Sequence, residues 1–101
     1  MKKVFISQPM NGRTDTEIKA ERERIVKELV NCLGEEIEVI DSFFDYKFLN
    51  PKKNRELQHL GKSIELMADA DIVYFASGWE KARGCVIERE CAKQYGLCIR
   101  E

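Results

Sequence analysis

Four short apolar runs, separated by three stretches of helical periodicity, leave this chain few folds to choose from. The runs are Val4-Phe5-Ile6, Ile37-Glu38-Val39-Ile40-Asp41, Asp71-Ile72-Val73-Tyr74-Phe75-Ala76 and Leu97-Cys98-Ile99. Runs without polar alternation suit strands covered on both faces. Between the first two, Thr14-Asp15-Thr16-Glu17 has the form of a capping box, in which Thr14 and Glu17 satisfy each other's free backbone donors. Ile18, Ile25, Leu29, Cys32 and Leu33 then recur at helical spacing, and Gly34 offers a left-handed stop, so the spacing predicts a helix over 14–33. Leu57, Leu60, Ile64 and Met67 predict a second helix over 54–69, which Gly61 weakens by roughly 1 kcal/mol relative to alanine. A third is expected over 85–95, with Ile87, Cys91 and Tyr95 on one side, and residues 77–84 read as a loop.

The order is β-α-β-α-β-α-β. Right-handed crossovers then give a parallel sheet with helices on both faces. The expected fold is a single α/β domain over 1–101, a Rossmann- or flavodoxin-like three-layer sandwich of four strands in the order 2-1-3-4. Open sheets of this kind bind ligands beyond the carboxyl ends of the strands, at the switch point between strands one and three. Ser7, Gln8, Pro9, Met10, Asn11 and Gly12 bound that point on one side, and Ser77 through Gly84 on the other.

Composition narrows the partners. At 101 residues the chain holds one core, and 44% hydrophobic with 35% charged residues is a globular balance. A formal net charge of -1 gives no electrostatic case for nucleic acid or for an anionic membrane. Lys47, Lys52, Lys53 and Arg55 form one local basic group, which reads as a solvated loop in preference to a phosphate-attracting rim. No apolar run approaches the roughly 20 residues of a membrane span, and the first apolar stretch is too short for a secretion signal. The expected location is the cytoplasm, with Cys32, Cys85, Cys91 and Cys98 as free thiols. Cys32, Cys91 and Cys98 fall at apolar positions and read as packing residues. None of the four stands in a C-x-x-C pair and His59 is the single histidine, so no metal and no cofactor is expected.

Glu88 carries the sharpest chemical reading. It follows Gly84 closely, where a ligand can approach the backbone, and is expected in the first turn of the third helix, facing the positive end of its dipole. A carboxylate there can act as a nucleophile at a sugar carbon or as a base; spacing alone favours an ordinary first-turn glutamate, with Glu90 as its solvated neighbour. The first loop opens on a capped helix and offers an anion site or a plain turn. Phe43, Phe44, Tyr46 and Phe48 could stack a nucleobase, form a contact between copies or fill a small core. Trp79 could stack a base or lie partly buried beneath its own loop.

Pro9, the segment Ala70-Asp71-Ile72-Val73-Tyr74-Phe75-Ala76, Gly84, Glu88, Ala92 and Gly96 together resemble the nucleoside 2-deoxyribosyltransferase superfamily. The start Ile6-Ser7-Gln8-Pro9-Met10-Asn11-Gly12 and the loop Gly78-Trp79-Glu80-Lys81-Ala82-Arg83-Gly84-Cys85 look closest to a short, often phage-encoded branch of it. The resemblance implies cleavage of the N-glycosidic bond of deoxynucleosides or their 5′-monophosphates, with Glu88 attacking the anomeric carbon. It places the sugar or its 5′ group at the first loop, including Ser7 and Asn11. The chain also departs from the pattern. Phe5 stands where the family has a strand-one tyrosine, and Ser63 where it has an aspartate on the second helix. Asp41, at the end of strand two, is the nearest substitute for that aspartate.

Three readings follow. The first is a hydrolase or transferase at N-glycosidic bonds. The second is a nucleoside- or nucleotide-binding module without catalysis. The third is a small interaction protein using the aromatic segment. Homo-oligomerisation fits all three, because four strands make a small core.

Overall fold

The computed structural model describes residues 1–42, 50 and 52–101. The aromatic segment Phe43–Phe48 and Lys47 lie outside the described residues. The elements run β1 (Lys2–Ser7), α1 (Asp15–Leu33), β2 (Ile37–Val39), α2 (Arg55–Met67), β3 (Ile72–Phe75), α3 (Arg83–Gln94) and β4 (Cys98–Arg100), with a 3-10 turn at Trp79–Lys81 before α3. All pairings are parallel and the strand order is β2-β1-β3-β4. This is the expected α/β architecture, and the central register sets Ser7 beside Phe75.

Strand alternation sorts the side chains into two layers. Val4, Ile6 and Ile72 face α1 and pack with Ile25 and Leu29. Phe5, Val73 and Phe75 face the other way and pack with Met67 of α2 and Ala92 of α3. Lys3 and Asp71 fix the start of the central pair: the Lys3 amide donates to the Asp71 carboxylate, and the Asp71 amide to the Lys3 carbonyl, both at 2.8 Å.

The first helix ends where the sequence says. Thr14 Oγ accepts from the Glu17 amide at 3.2 Å, and the Glu17 carboxylate reaches back to the Thr14 amide at 3.5 Å. Gly34 closes the helix at φ 69°, a backbone state that costs glycine little. Thr14→Ala should therefore lower stability by about 1 kcal/mol, read as an earlier midpoint in urea denaturation. Asn54 caps α2 in the same way, through its side chain to the Leu57 amide at 2.9 Å.

Elsewhere the pattern misleads. The third helix starts at Arg83, two residues early, and its cap position Ala82 has no side chain to signal it. Glu88 is accordingly its sixth residue and not in the first turn, so the dipole argument loses its force. The buried stripe of α3 is Cys85, Glu88 and Ala92, while Ile87 and Tyr95 are exposed, Tyr95 at 85%. On α2 the buried residues are Ser63 and Met67, and Leu57 is exposed. Of the three thiols expected to pack, Cys91 does so, partly buried against the layer of Phe5, whereas Cys32 and Cys98 are exposed; Cys85 is buried. Cys32 rides one position beyond the α1 stripe, and Cys98 lies on an edge strand. No helix among the described residues is long and apolar enough to cross a membrane.

Candidate functional site

Residues 7 and 8 illustrate how one strand serves two sites. Consecutive strand residues point to opposite faces, so Ser7 turns toward α3 and Gln8 toward α1. Both are buried. The Gln8 amide nitrogen donates to the Ile18 carbonyl at 3.1 Å and to the Glu21 carboxylate at 2.9 Å, and its oxygen accepts from Arg22 Nε. Arg22 continues to Ser42 Oγ at 2.6 Å and feels the Asp41 charge. Arg13 closes the network, donating to the Pro9 carbonyl at 3.0 Å and to Glu21 at 2.9 Å. Burial works against ionising Glu21, but Arg13, Gln8 and Arg24 together hold its carboxyl below the ordinary range. Gln8 and Asp41 thus serve the scaffold of the first loop, because every amide atom of Gln8 is already engaged.

The other face holds the chemistry. Glu88 is 8% exposed, and its Oε2 is buried with no hydrogen-bond partner. Burial pushes its carboxyl up to about 7; the nearby Ser7 hydroxyl pulls the other way. That hydroxyl is close enough to favour the charged form, yet it makes no well-formed hydrogen bond to either neighbour. Cys85, one turn before Glu88 on the same stripe, has its thiol pushed up by burial and by the Glu88 charge, with Ser7 opposing. Ser7, Cys85 and Glu88 therefore form one enclosed polar cluster beside the carboxyl end of β1. Buried polar atoms without partners are uncommon in folded proteins and mark places where something is held or moved.

The remaining predicted site residues divide. Pro9 lies 3.7 Å from the point where a Cβ on Gly78 would stand, so the first and third loops touch there. Gly78 itself sits at φ 89°, which a residue with a side chain adopts only under strain. Met10 is half-buried, whereas Asn11, Gly12 and Ser77 are exposed. Gly84 lies in the first turn of α3 with nothing within 4 Å of its missing Cβ, so the backbone there is open to approach. The amino end of α1 is less inviting to an anion than its position suggested: the capping box serves it, and Asp15 and Glu17 stand in its first turn. Two clefts formed by described residues lie away from Glu88. One is lined by Arg22, Glu23, Val26, Lys27 and Val39, the other by Glu28, Leu29, Cys32, Tyr74, Arg100 and Glu101.

The sequence reading missed a second cluster on the α3 face. Trp79 packs edge-on to Phe75, with ring centres 6.1 Å apart, and the Arg89 guanidinium lies 4.4 Å from the Trp79 ring centre. Glu101 joins both: its carboxylate accepts from Trp79 Nε1 at 2.8 Å and from Arg89 Nη2 at 3.4 Å. Alternation was the available signal, since Glu101 follows Arg100 at the end of β4 and must face opposite to it.

The family model for a domain of unknown function, DUF4406, matches residues 2–101. The chain belongs to this family. The DUF4406 match spans every element of the sheet and both clusters. Comparison with curated proteins finds no match. Among the described residues no group of histidine, cysteine, aspartate and glutamate side chains is arranged to hold a metal ion.

Proposed function

We propose that this DUF4406 domain acts on the N-glycosidic bond of nucleosides or their 5′-monophosphates, with Glu88 as the nucleophile. The observation that carries this reading is the buried, partnerless Oε2 of Glu88 at the carboxyl end of a parallel sheet, where such folds bind ligands. The sequence resemblance to the nucleoside 2-deoxyribosyltransferases supplies the reaction class.

The chemistry then follows from the carboxyl group. Ionised Glu88 attacks the anomeric carbon, forming a C–O bond as the C–N bond breaks. The base departs with the bond pair and takes a proton from solvent. Water or a second base then displaces the carboxylate from the sugar. A group pushed up to about 7 is only part-ionised at neutral pH, but its high basicity makes the ionised fraction a better nucleophile. A sugar hydroxyl donating to Oε2 would restore part of the solvation that burial removed.

A second reading, binding without turnover, draws on Phe5 and Ser63. Both are buried on the α3 side, and neither provides an ionisable group to orient the sugar or protonate the base. Asp41 does not fill the gap, because its charge is engaged with Arg22 beneath the first loop.

Chromatography for free base separates the two. The protein would be incubated with 2′-deoxynucleosides, ribonucleosides and their 5′-monophosphates beside Glu88→Ala. Base release that disappears in the variant is the expected result. No release from any substrate by the folded wild type rejects catalysis and leaves the binding reading, to be followed by nucleotide-dependent shifts in melting temperature.

A further inference from the structure

We infer that Trp79 Nε1 and the Arg89 guanidinium form an anion-binding subsite for a phosphate monoester, which the Glu101 carboxylate occupies in the free protein. The inference goes beyond the N-glycosidic reading and needs no turnover.

The site is built rather than incidental. Arg89 lies over two aromatic rings, with its guanidinium carbon 4.4 Å from the centre of Trp79 and 5.8 Å from that of Phe75. Contact with the two rings restricts the side chain and lowers the entropy lost when its fork binds a two-oxygen anion. The floor beneath is the core itself, since Trp79 packs on the cluster of Phe5, Val73, Phe75 and Ala92. Two donors from different elements converge on one carboxylate: Trp79 from the loop after β3 and Arg89 from α3. A third donor, Arg89 Nε, is buried and has no partner among the described residues. Glu101 satisfies two of the three, and its contact with Arg89 is the longer at 3.4 Å.

Glu101 is also easy to displace. Its side chain is 51% exposed and it sits just past the end of an edge strand. Ion pairs of such exposure are weak. A phosphate monoester brings up to two negative charges and three acceptor oxygens, against the single charge and two oxygens of Glu101, and so can reach the unused Nε as well. The strands are parallel, so Glu101 and Trp79 lie at the same end of the sheet as Ser7, and Arg89 follows Glu88 directly on α3. The anion would sit beside the Glu88 cluster.

Trp79 is the single tryptophan, so its indole N–H gives one NMR resonance to follow. The probe is inorganic phosphate, with acetate as the carboxylate arm, titrated into wild type, Glu101→Gln and Arg89→Gln. Phosphate is expected to move the wild-type resonance saturably. Glu101→Gln should bind about fivefold more tightly, as the internal competitor is lost. Acetate should bind more weakly than phosphate in both, and Arg89→Gln should show no response. If Arg89→Gln does not fold, Arg89→Lys keeps the charge but loses the fork, and should weaken phosphate binding. An indole resonance that ignores phosphate in both wild type and folded Glu101→Gln overturns the inference. A response that persists unchanged without the Arg89 fork also overturns it. Base-release activity, present or absent, bears on neither outcome, so this inference and the N-glycosidic reading fail separately.

Discussion

At pH 8, Glu88→Gln is expected to be more stable than the wild type by about 3 kcal/mol. The carboxyl of Glu88 titrates near 4.5 in an unfolded chain and is pushed up to about 7 in the fold. The folded state therefore binds the proton more tightly. Below pH 4.5 both states are protonated and the group leaves stability unchanged. Between 4.5 and 7 the unfolded chain has lost the proton and the folded one keeps it, so stability falls as pH rises. Above 7 the loss is complete and equals the whole shift, about 3 kcal/mol at 1.36 kcal/mol per unit. The glutamine cannot ionise and does not incur that loss. Urea denaturation of both proteins at pH 4 and pH 8 measures it. The variant's advantage should be small at pH 4 and large at pH 8. Equal stability at pH 8 would mean that Glu88 is solvated in the fold. If the proposed chemistry holds, the same substitution ends base release, so the site is maintained at a cost in stability.

The second large effect is expected from Phe5→Ala. Phe5 is 1% exposed and lies in the centre of the layer between the sheet and the helices α2 and α3. Removing a buried aromatic ring costs about 3–5 kcal/mol, from lost burial and from the cavity left behind. Domains of this size are held by only about 5–15 kcal/mol in total. The variant should be largely unfolded by physiological temperature, seen as loss of cooperative melting in circular dichroism. Phe5→Leu, which keeps much of the volume, should melt cooperatively at an intermediate temperature. A wild-type-like Phe5→Ala would show that the layer can collapse around the missing ring.

These two residues show what local sequence reveals. The sheet order was legible because each strand is followed by a helix, and right-handed crossovers then admit few arrangements. Both ends of α1 were legible because Thr14, Glu17 and Gly34 act within a few residues of one another. The start of α3 was not, because Ala82 caps it with backbone alone and Gly84 sits inside its first turn. The placement of Cys32 and Tyr95 failed for a related reason: a helical stripe drifts, and one position of error moves a side chain from core to solvent. In the candidate site, the resemblance pointed to Glu88 and burial gives that position a physical reason. The duty of Gln8 stayed hidden, since its partners stand on α1 and only the folded chain brings them near. The Trp79–Arg89–Glu101 contact was hidden likewise, as three elements contribute one residue each.

The opposed directions of Ser7 and Gln8 have a consequence for how this family can change its length. Shifting β1 by one place toward its start would carry the Gln8 amide to the Ser7 position, facing Glu88, and leave Arg22, Glu21 and the Ile18 carbonyl facing Pro9, whose side chain has neither donor nor acceptor. Val4 and Ile6 would exchange layers with Phe5 in the same step. A single-codon insertion or deletion within this strand therefore damages the loop scaffold, the core and the carboxyl cluster together. In this chain an added or lost residue is therefore expected to be tolerated in the turns and not within the first strand.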